Sequence, residues 1–310
     1  MRRLAALLLL VPSLLGAQSS PRERRDPRLE AELAELARGV RGTVGIYVKH
    51  LRTGRTAAIN ADTVFPTASM IKVPILAATY DAMERGALRF DTILTYTDSL
   101  DYGPEGDVGD ILAMAADSTK ITLGRVVMLM ATMSDNTASL WLQSLSGTGV
   151  RINEWLAANG FDSTRMNSRT PGRREIWEKY GWGQTTPREM ARLLTLIRDG
   201  KAVSRPASEE MYRVLTRQYW NGQSLSQIPP WVQVATKSGS VDASRSEVVL
   251  VNAPSGDYVF CVITKNQADT SYGPGNEGYA LLRKVSALLW RRFEPKHPWT
   301  PAPGAERFRE

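Results

Sequence analysis

The sequence predicts a mixed α/β (α+β) fold, with one sheet completed by segments from both ends of the chain and a helical part inserted between them. Two observations carry this. Runs rich in β-branched residues fall near the two ends, at 43–59 and 232–265. The stretch between them has helical periodicity with cap signals. Such an order packs as one layered unit rather than as alternating βα repeats. The composition, 43% hydrophobic and 23% charged over 310 residues, is globular rather than disordered or fibrous.

The first segment stands apart. Met1-Arg2-Arg3 is a basic start, Leu4 to Gly16 is apolar with one proline, and Gly16, Ala17 and Ser19 are small. That is the layout of a secretory signal peptide over 1–19. An uncleaved anchor competes with it, but the run is shorter than the ~20 apolar residues of a span. Ser19 to Arg25 reads as a polar linker. One domain is expected over 20–310, with an α/β part at 26–68 and 204–295 and a helical part at 69–203.

Asp26-Pro27 opens a helix, Asp as N-cap and Pro at N1, with Leu29, Leu33 and Leu36 at helical spacing and Gly39 as the stop. Thr43 to His50 alternates as a strand, Thr53-Gly54 turns, and Thr56 to Ile59 returns. Helices are expected over Met70–Glu84, Leu123–Met133, Thr137–Leu145 and Val150–Ala158. Between Phe161 and Gln184 lies an irregular loop carrying Trp177, Tyr180 and Trp182, read as packed by its own side chains. Thr186-Pro187-Arg188-Glu189 is a capping box. Val232–Thr236, Glu247–Asn252 and Tyr258–Lys265 are strands, and a last helix runs from Tyr279 to Phe293.

The net charge of +7 sits partly in the tails, at Arg2, Arg3, Arg22, Arg24, Arg25, Arg291 and Arg292. No basic cluster is interleaved with aromatics, so nucleic acid is not an expected partner. Cys261 is the only cysteine. It leaves no intramolecular disulfide and no N-terminal lipid anchor. An exported chain without disulfides suits a bacterial periplasm or the cell exterior. A monomer without stable membrane insertion after signal removal is expected.

Three short motifs carry chemistry. Ser69-Met70-Ile71-Lys72 places a hydroxyl and an amine on one helical face. Pro74 is tolerated only in a first turn, which starts the helix near Met70 and puts Ser69 where partial positive charge favours a developing anion. A serine attacks only when a base takes its proton, and a lysine serves if burial or other cations depress its pKa. Ser134-Asp135-Asn136 interrupts a helical region. Lys237-Ser238-Gly239 ends a β-like run, and its glycine lets a substrate backbone lie close.

Together these three motifs resemble the signature set of class A β-lactamases and penicillin-binding proteins. The resemblance covers about Leu29 to Trp290 and includes Thr185-Thr186-Pro187. It implies an antiparallel five-stranded sheet flanked by helices, with an inserted all-α subdomain, as in the β-lactamase/transpeptidase fold. It implies that Ser69 is acylated by a β-lactam or peptidoglycan-related substrate, that Lys72 is the base or its partner, and that Ser134 passes a proton to the leaving nitrogen. Asn136 would hold the substrate amide and orient Lys72, while Lys237 and Ser238 bind the substrate carboxylate beside Gly239. The N–H groups of Ser69 and Ser240 would form the oxyanion hole. Arg245 would add charge to the carboxylate site, and Asp135 would be structural.

The chain departs from the family in the long loop. The family's Arg-x-Glu-x-x-x-Asn carries a deacylating glutamate. Counting from Thr164-Arg165 without gaps puts Thr170 at the glutamate's position and Arg174 at the asparagine's. Glu175 and Glu178 are the nearest carboxylates, as bases or as solvated loop charges. Glu105 and Asp107 are expected on a loop rimming the cleft. The only histidines, His50 and His297, offer no convincing Ser-His-Asp triad, and no metal cluster or cofactor is called for. An efficient β-lactamase, a penicillin-binding or peptidase-like enzyme with slow turnover, and a non-catalytic binding protein are the readings to separate.

Overall fold

The structure, a computed structural model, describes residues 21–102 and 110–308. The expected signal segment, Glu105 and Asp107 lie outside the described residues. In chain order the strands are β1 (Arg24–Arg25), β2 (Thr43–His50), β3 (Arg55–Ile59), β4 (Phe65–Pro66), β5 (Ile93–Thr95), β6 (Lys120–Thr122), β7 (Arg165–Met166), β8 (Gly183–Thr185), β9 (Val234–Val241), β10 (Ser244–Val251) and β11 (Tyr258–Lys265). The helices are α1 (Pro27–Ala37), α2 (Lys72–Glu84), α3 (Leu123–Met128), α4 (Asn136–Leu145), α5 (Thr148–Ala158), α6 (Arg174–Tyr180), α7 (Pro187–Arg198), α8 (Arg205–Leu215) and α9 (Glu277–Phe293).

The main sheet has the order β1-β3-β2-β11-β10-β9, so the N-terminal hairpin and the C-terminal strands join at β2 and β11. Both sheet faces are buried. Ile46, Val48, Phe260 and Val262 pack beneath α1 and α9, while Tyr47, Val259, Cys261 and Ile263 face the helical part. Period-two alternation sends neighbouring residues to opposite faces, so a strand buried on both sides is continuously apolar. Helix α2 is buried from Lys72 to Tyr80 and forms the axis of the helical part. A helix surrounded by protein needs no polar face, and its first residue, Lys72, is buried with it.

Four expectations change. The sheet has six strands rather than five. The sixth is Arg24–Arg25, inside the stretch read as a linker. It pairs parallel with β3, held by Arg24 N–H to Gly54 O and Asp26 N–H to Thr56 O, both at 2.7 Å. Two exposed arginines have no hydrophobic pattern, so the strand is made by backbone bonding, with side-chain contacts from Arg24 to Thr53 O and from Arg25 to Glu30. The 161–184 loop is not irregular throughout, since α6 lies within it. Helix α8, capped by Ser204, was missed between the capping box and the last strands. The Lys237-Ser238-Gly239 motif lies mid-strand rather than at a strand end.

Candidate active site

Each element delivers one part of the site. A 3₁₀ turn over Ala68–Ile71 leads into α2. It places Ser69 one turn ahead of Lys72, whose Nζ donates to Ser69 Oγ at 3.1 Å. Pro74 is the third residue of α2, within the first turn as its missing N–H requires. Ala68 has φ of 44°, a region sparsely used by non-glycine residues, so strain sits next to the nucleophile candidate. Behind it, Thr67 N–H donates to Gly183 O at 3.0 Å and Ser246 Oγ donates to Thr67 O at 3.1 Å.

After α3 the chain makes one π-helical turn and reaches Ser134 in the left-handed region at φ 64°. That kink points its hydroxyl at two amines. Lys72 Nζ donates to it at 3.1 Å and Lys237 Nζ at 2.9 Å. Asn136 Oδ1, at 2.7 Å, and the Ser134 carbonyl are also within hydrogen-bond reach of Lys72 Nζ, so four oxygens share its at most three N–H donors. Both lysines are buried. Burial, reinforced by the charge of Lys72, holds the Lys237 ammonium well below its ordinary pKa, against the pull of Glu247. A hydroxyl that accepts from two amines keeps its own proton for a third partner.

Asp135 is the N-cap of α4. One carboxylate oxygen accepts from Ala138 N–H at 2.7 Å, the other from Leu112 N–H at 2.8 Å. Burial, with Asp110 beside it, pushes its carboxyl up, against those two N–H groups.

Strand β9 is the sheet edge facing the helical part. A Cβ on Gly239 would lie 2.7 Å from Ser69 N, so only glycine permits this approach. The cleft has two lobes of about 500 and 670 Å³ that share Ser69, Asn136 and Ser240. The first is walled by Ser134, Ser238, Trp220, Tyr272 and Tyr279, the second by Tyr102, Trp182 and the end of α6.

Arg245 does not meet the cleft as expected. Register on β10 pairs Ser246 with Gly239 and Arg245 with Ser240. Arg245 therefore shares the side of Ser240, but it is fully buried beneath Tyr272 and Tyr279 and does not line either lobe. Its guanidinium donates to the carbonyls of Val241, Asp242, Ser244, Thr270 and Ser271. The rings of Tyr272 and Tyr279 cover it at 4.5 and 4.9 Å. It braces the wall that Tyr279 completes by donating its hydroxyl to Ser240 Oγ at 2.8 Å.

Glu175 is exposed. Glu178 borders the second lobe but is 56% exposed and paired with Arg174 at 3.0 Å. Thr170 spends its hydroxyl on the carbonyls of Ser168 and Met166, at 2.9 and 3.2 Å.

A profile of the β-lactamase enzyme family matches residues 28–293. The chain belongs to that family. It is 22% identical over 275 residues to β-lactamase VEB-1 of Pseudomonas aeruginosa, covering 86% of this chain and 90% of that one. Among solved structures it superposes on PBP-A with a TM-score of 0.77 at 26% identity, over 89% of this chain and 100% of the other. A PBP-A mutant solved as an acyl-enzyme complex with penicillin G matches at the same score and identity, over 89% and 99%. A β-lactamase from Sphaerobacter thermophilus gives 0.76 at 23%, over 88% and 100%. Membership makes this chain a serine β-lactamase-like hydrolase with the mixed α/β fold of the class A group.

Sequence reasoning missed Asp110, Trp220, Tyr272 and Tyr279. None belongs to a motif, and each reaches the cleft through loop or helix placement. Tyr279 carried one signal, since it lies in the first turn of the last helix, shortly after the β-strands.

Proposed function

We propose that the chain is an acyl-transferring enzyme that opens a β-lactam or related amide on Ser69 and releases the acyl group slowly. The observation that carries this is the continuous chain Ser69–Lys72–Ser134–Lys237 beside a loop whose expected glutamate position is Thr170. Ser69 Oγ attacks the carbonyl carbon and its proton passes to Lys72. The oxyanion is met by the Ser69 and Ser240 N–H groups, a donor pair worth about 3 kcal/mol per donor in such sites. As the C–N bond breaks, the nitrogen takes the Ser134 proton, which Lys72 replaces. Lys237 and Ser238 receive the substrate carboxylate, and Asn136 its side-chain amide, with Gly239 keeping the strand close.

Release of the acyl group needs an activated water, and a general base contributes about 10²–10⁴-fold to such a step. Thr170 has no basic group to supply it. A chromogenic cephalosporin is therefore expected to give a burst near one equivalent and then a slow steady rate. Intact mass is expected to show a lasting penicillin adduct, absent in Ser69→Ala. Rapid turnover with no adduct would refute slow release, and an adduct on Ser69→Ala would refute the nucleophile. Glu178 favours a second reading, because it borders the lobe containing Ser69. If it is the base, Glu178→Gln turns rapid turnover into a burst, and Glu175→Gln does not.

Export belongs to the same proposal, with a signal over 1–19 and a monomer acting in the periplasm or outside the cell. Among the described residues no helix is long and apolar enough to cross a membrane.

A further inference from the structure

Asp110 belongs to none of the three motifs, yet it lines the cleft and is only 2% exposed. Its carboxylate accepts from Asn136 N–H at 2.5 Å, Thr137 N–H at 2.9 Å and Thr137 Oγ1 at 3.0 Å. Asp135 takes the next helix donor, Ala138 N–H, and reaches back to Leu112 N–H. Segments 110–112 and 135–138 thus clamp each other reciprocally, each supplying the carboxylate that the other's backbone needs. The helix already has its N-cap in Asp135, and one cap residue ordinarily suffices. Burying a second carboxylate within the same turn is costly unless opposite charge compensates it. The compensation at hand is the pair of buried lysines that meet on Ser134 and, through Lys72, on Asn136.

We infer that Asp110 is a positioning residue for acyl transfer: it fixes the Ser134–Asn136 turn against the lysines and supplies the negative charge that balances them. This rests on the acyl-transfer reading above. Lys72 is coupled to Lys237 from β9 and to Asp135 of the clamp, Asp110 stands behind Asp135 and couples to it, and Glu247 on β10 acts on Lys237. An anion near a lysine favours its charged form. Removing the charge of Asp110 lowers the pH at which Lys72 becomes a free base, so the acid limb of acylation moves to lower pH. A purely structural lesion scales the profile down without moving it.

The test is the pH profile of Ser69 acylation by a penicillin, followed by intact mass on the whole chain, with thermal melting as the folding check. For Asp110→Asn we expect the plateau rate to fall about 100-fold, the cost of a misplacement near 1 Å. The acid limb should move down by about one pH unit. Asp110→Glu keeps the charge, so its limb should stay in place while its rate falls, and Asp110→Ser, also neutral, replaces Asp110→Asn with the same expected shift if that variant does not fold. An unmoved limb in Asp110→Asn, or a shifted one in Asp110→Glu, overturns the inference. No adduct on the unchanged protein at any pH overturns the acyl-transfer reading and this inference with it, whereas a normal adduct with unchanged variants sinks the inference alone.

Discussion

Replacing Gly239 by alanine tests whether the approach of β9 to the 3₁₀ turn sets the geometry of attack. A Cβ there would lie 2.7 Å from Ser69 N and from Thr67 O, and 2.8 Å from Ser246 Oγ. Ordinary contact begins at 3.4 Å, so the turn and the strand must separate by about 0.7 Å. Two of the three atoms are backbone and do not rotate away. The backbone of Gly239 is not in the left-handed region, so the lesion is steric rather than conformational. Overpacking of this kind costs about 1–3 kcal/mol of stability. Since a shift near 1 Å can cost about 10²-fold in rate, acylation should slow by roughly 10- to 100-fold. Stopped-flow acylation with a chromogenic cephalosporin measures the rate, and thermal melting confirms that the variant is folded. Acylation within twofold of the unchanged protein would show that the strand does not set the position of Ser69, and the argument from close approach would fail.

Three further outcomes are expected. Tyr279→Phe removes the hydroxyl that donates to Ser240 Oγ at 2.8 Å. It should cost about 1 kcal/mol and slow acylation roughly fivefold, and no change in rate would show that the wall does not bear on Ser240. Asp135→Ala deletes the α4 cap and the bond to Leu112 N–H, and urea unfolding should show a loss of about 2–3 kcal/mol. Burial, with Arg52 and Arg55 nearby, holds His50 below its ordinary 6.5, although Glu294 opposes this. The folded state thus favours neutral His50, a stability contribution present above pH 6.5 and lost as pH falls through the lowered value. Melting temperature should therefore fall less between pH 7 and 5 in His50→Gln than in the unchanged protein, and parallel curves would contradict this.

Local chemistry alone determined much of this protein. Asp26 and Thr186 are caps because short polar side chains accept helix N–H groups, and both do so here. The Thr186 box closes only halfway. Glu189 turns instead to the N–H groups of Ser163 and Thr164 and so pins the long loop. Spacing put Ser69 and Lys72 on one face, and the three motifs together pointed to the family that the comparisons support. Spacing left the contacts between motifs undetermined. Ser134 and Lys237 lie 103 residues apart, and they meet because β9 is the sheet edge facing the π turn. The resemblance implied a cleft role for Arg245, which is denied by its burial beneath Tyr272 and Tyr279. Asp110 has no motif to announce it, since a carboxylate becomes a clamp only when another segment's free N–H groups arrive. Ser69 and Lys72 are thus legible as a pair from helical geometry, while their connection to Ser134, Asn136 and Lys237 was decided by packing. Local propensity is written in neighbouring residues, and long-range juxtaposition is fixed only once the sheet and the helical part bury their shared core.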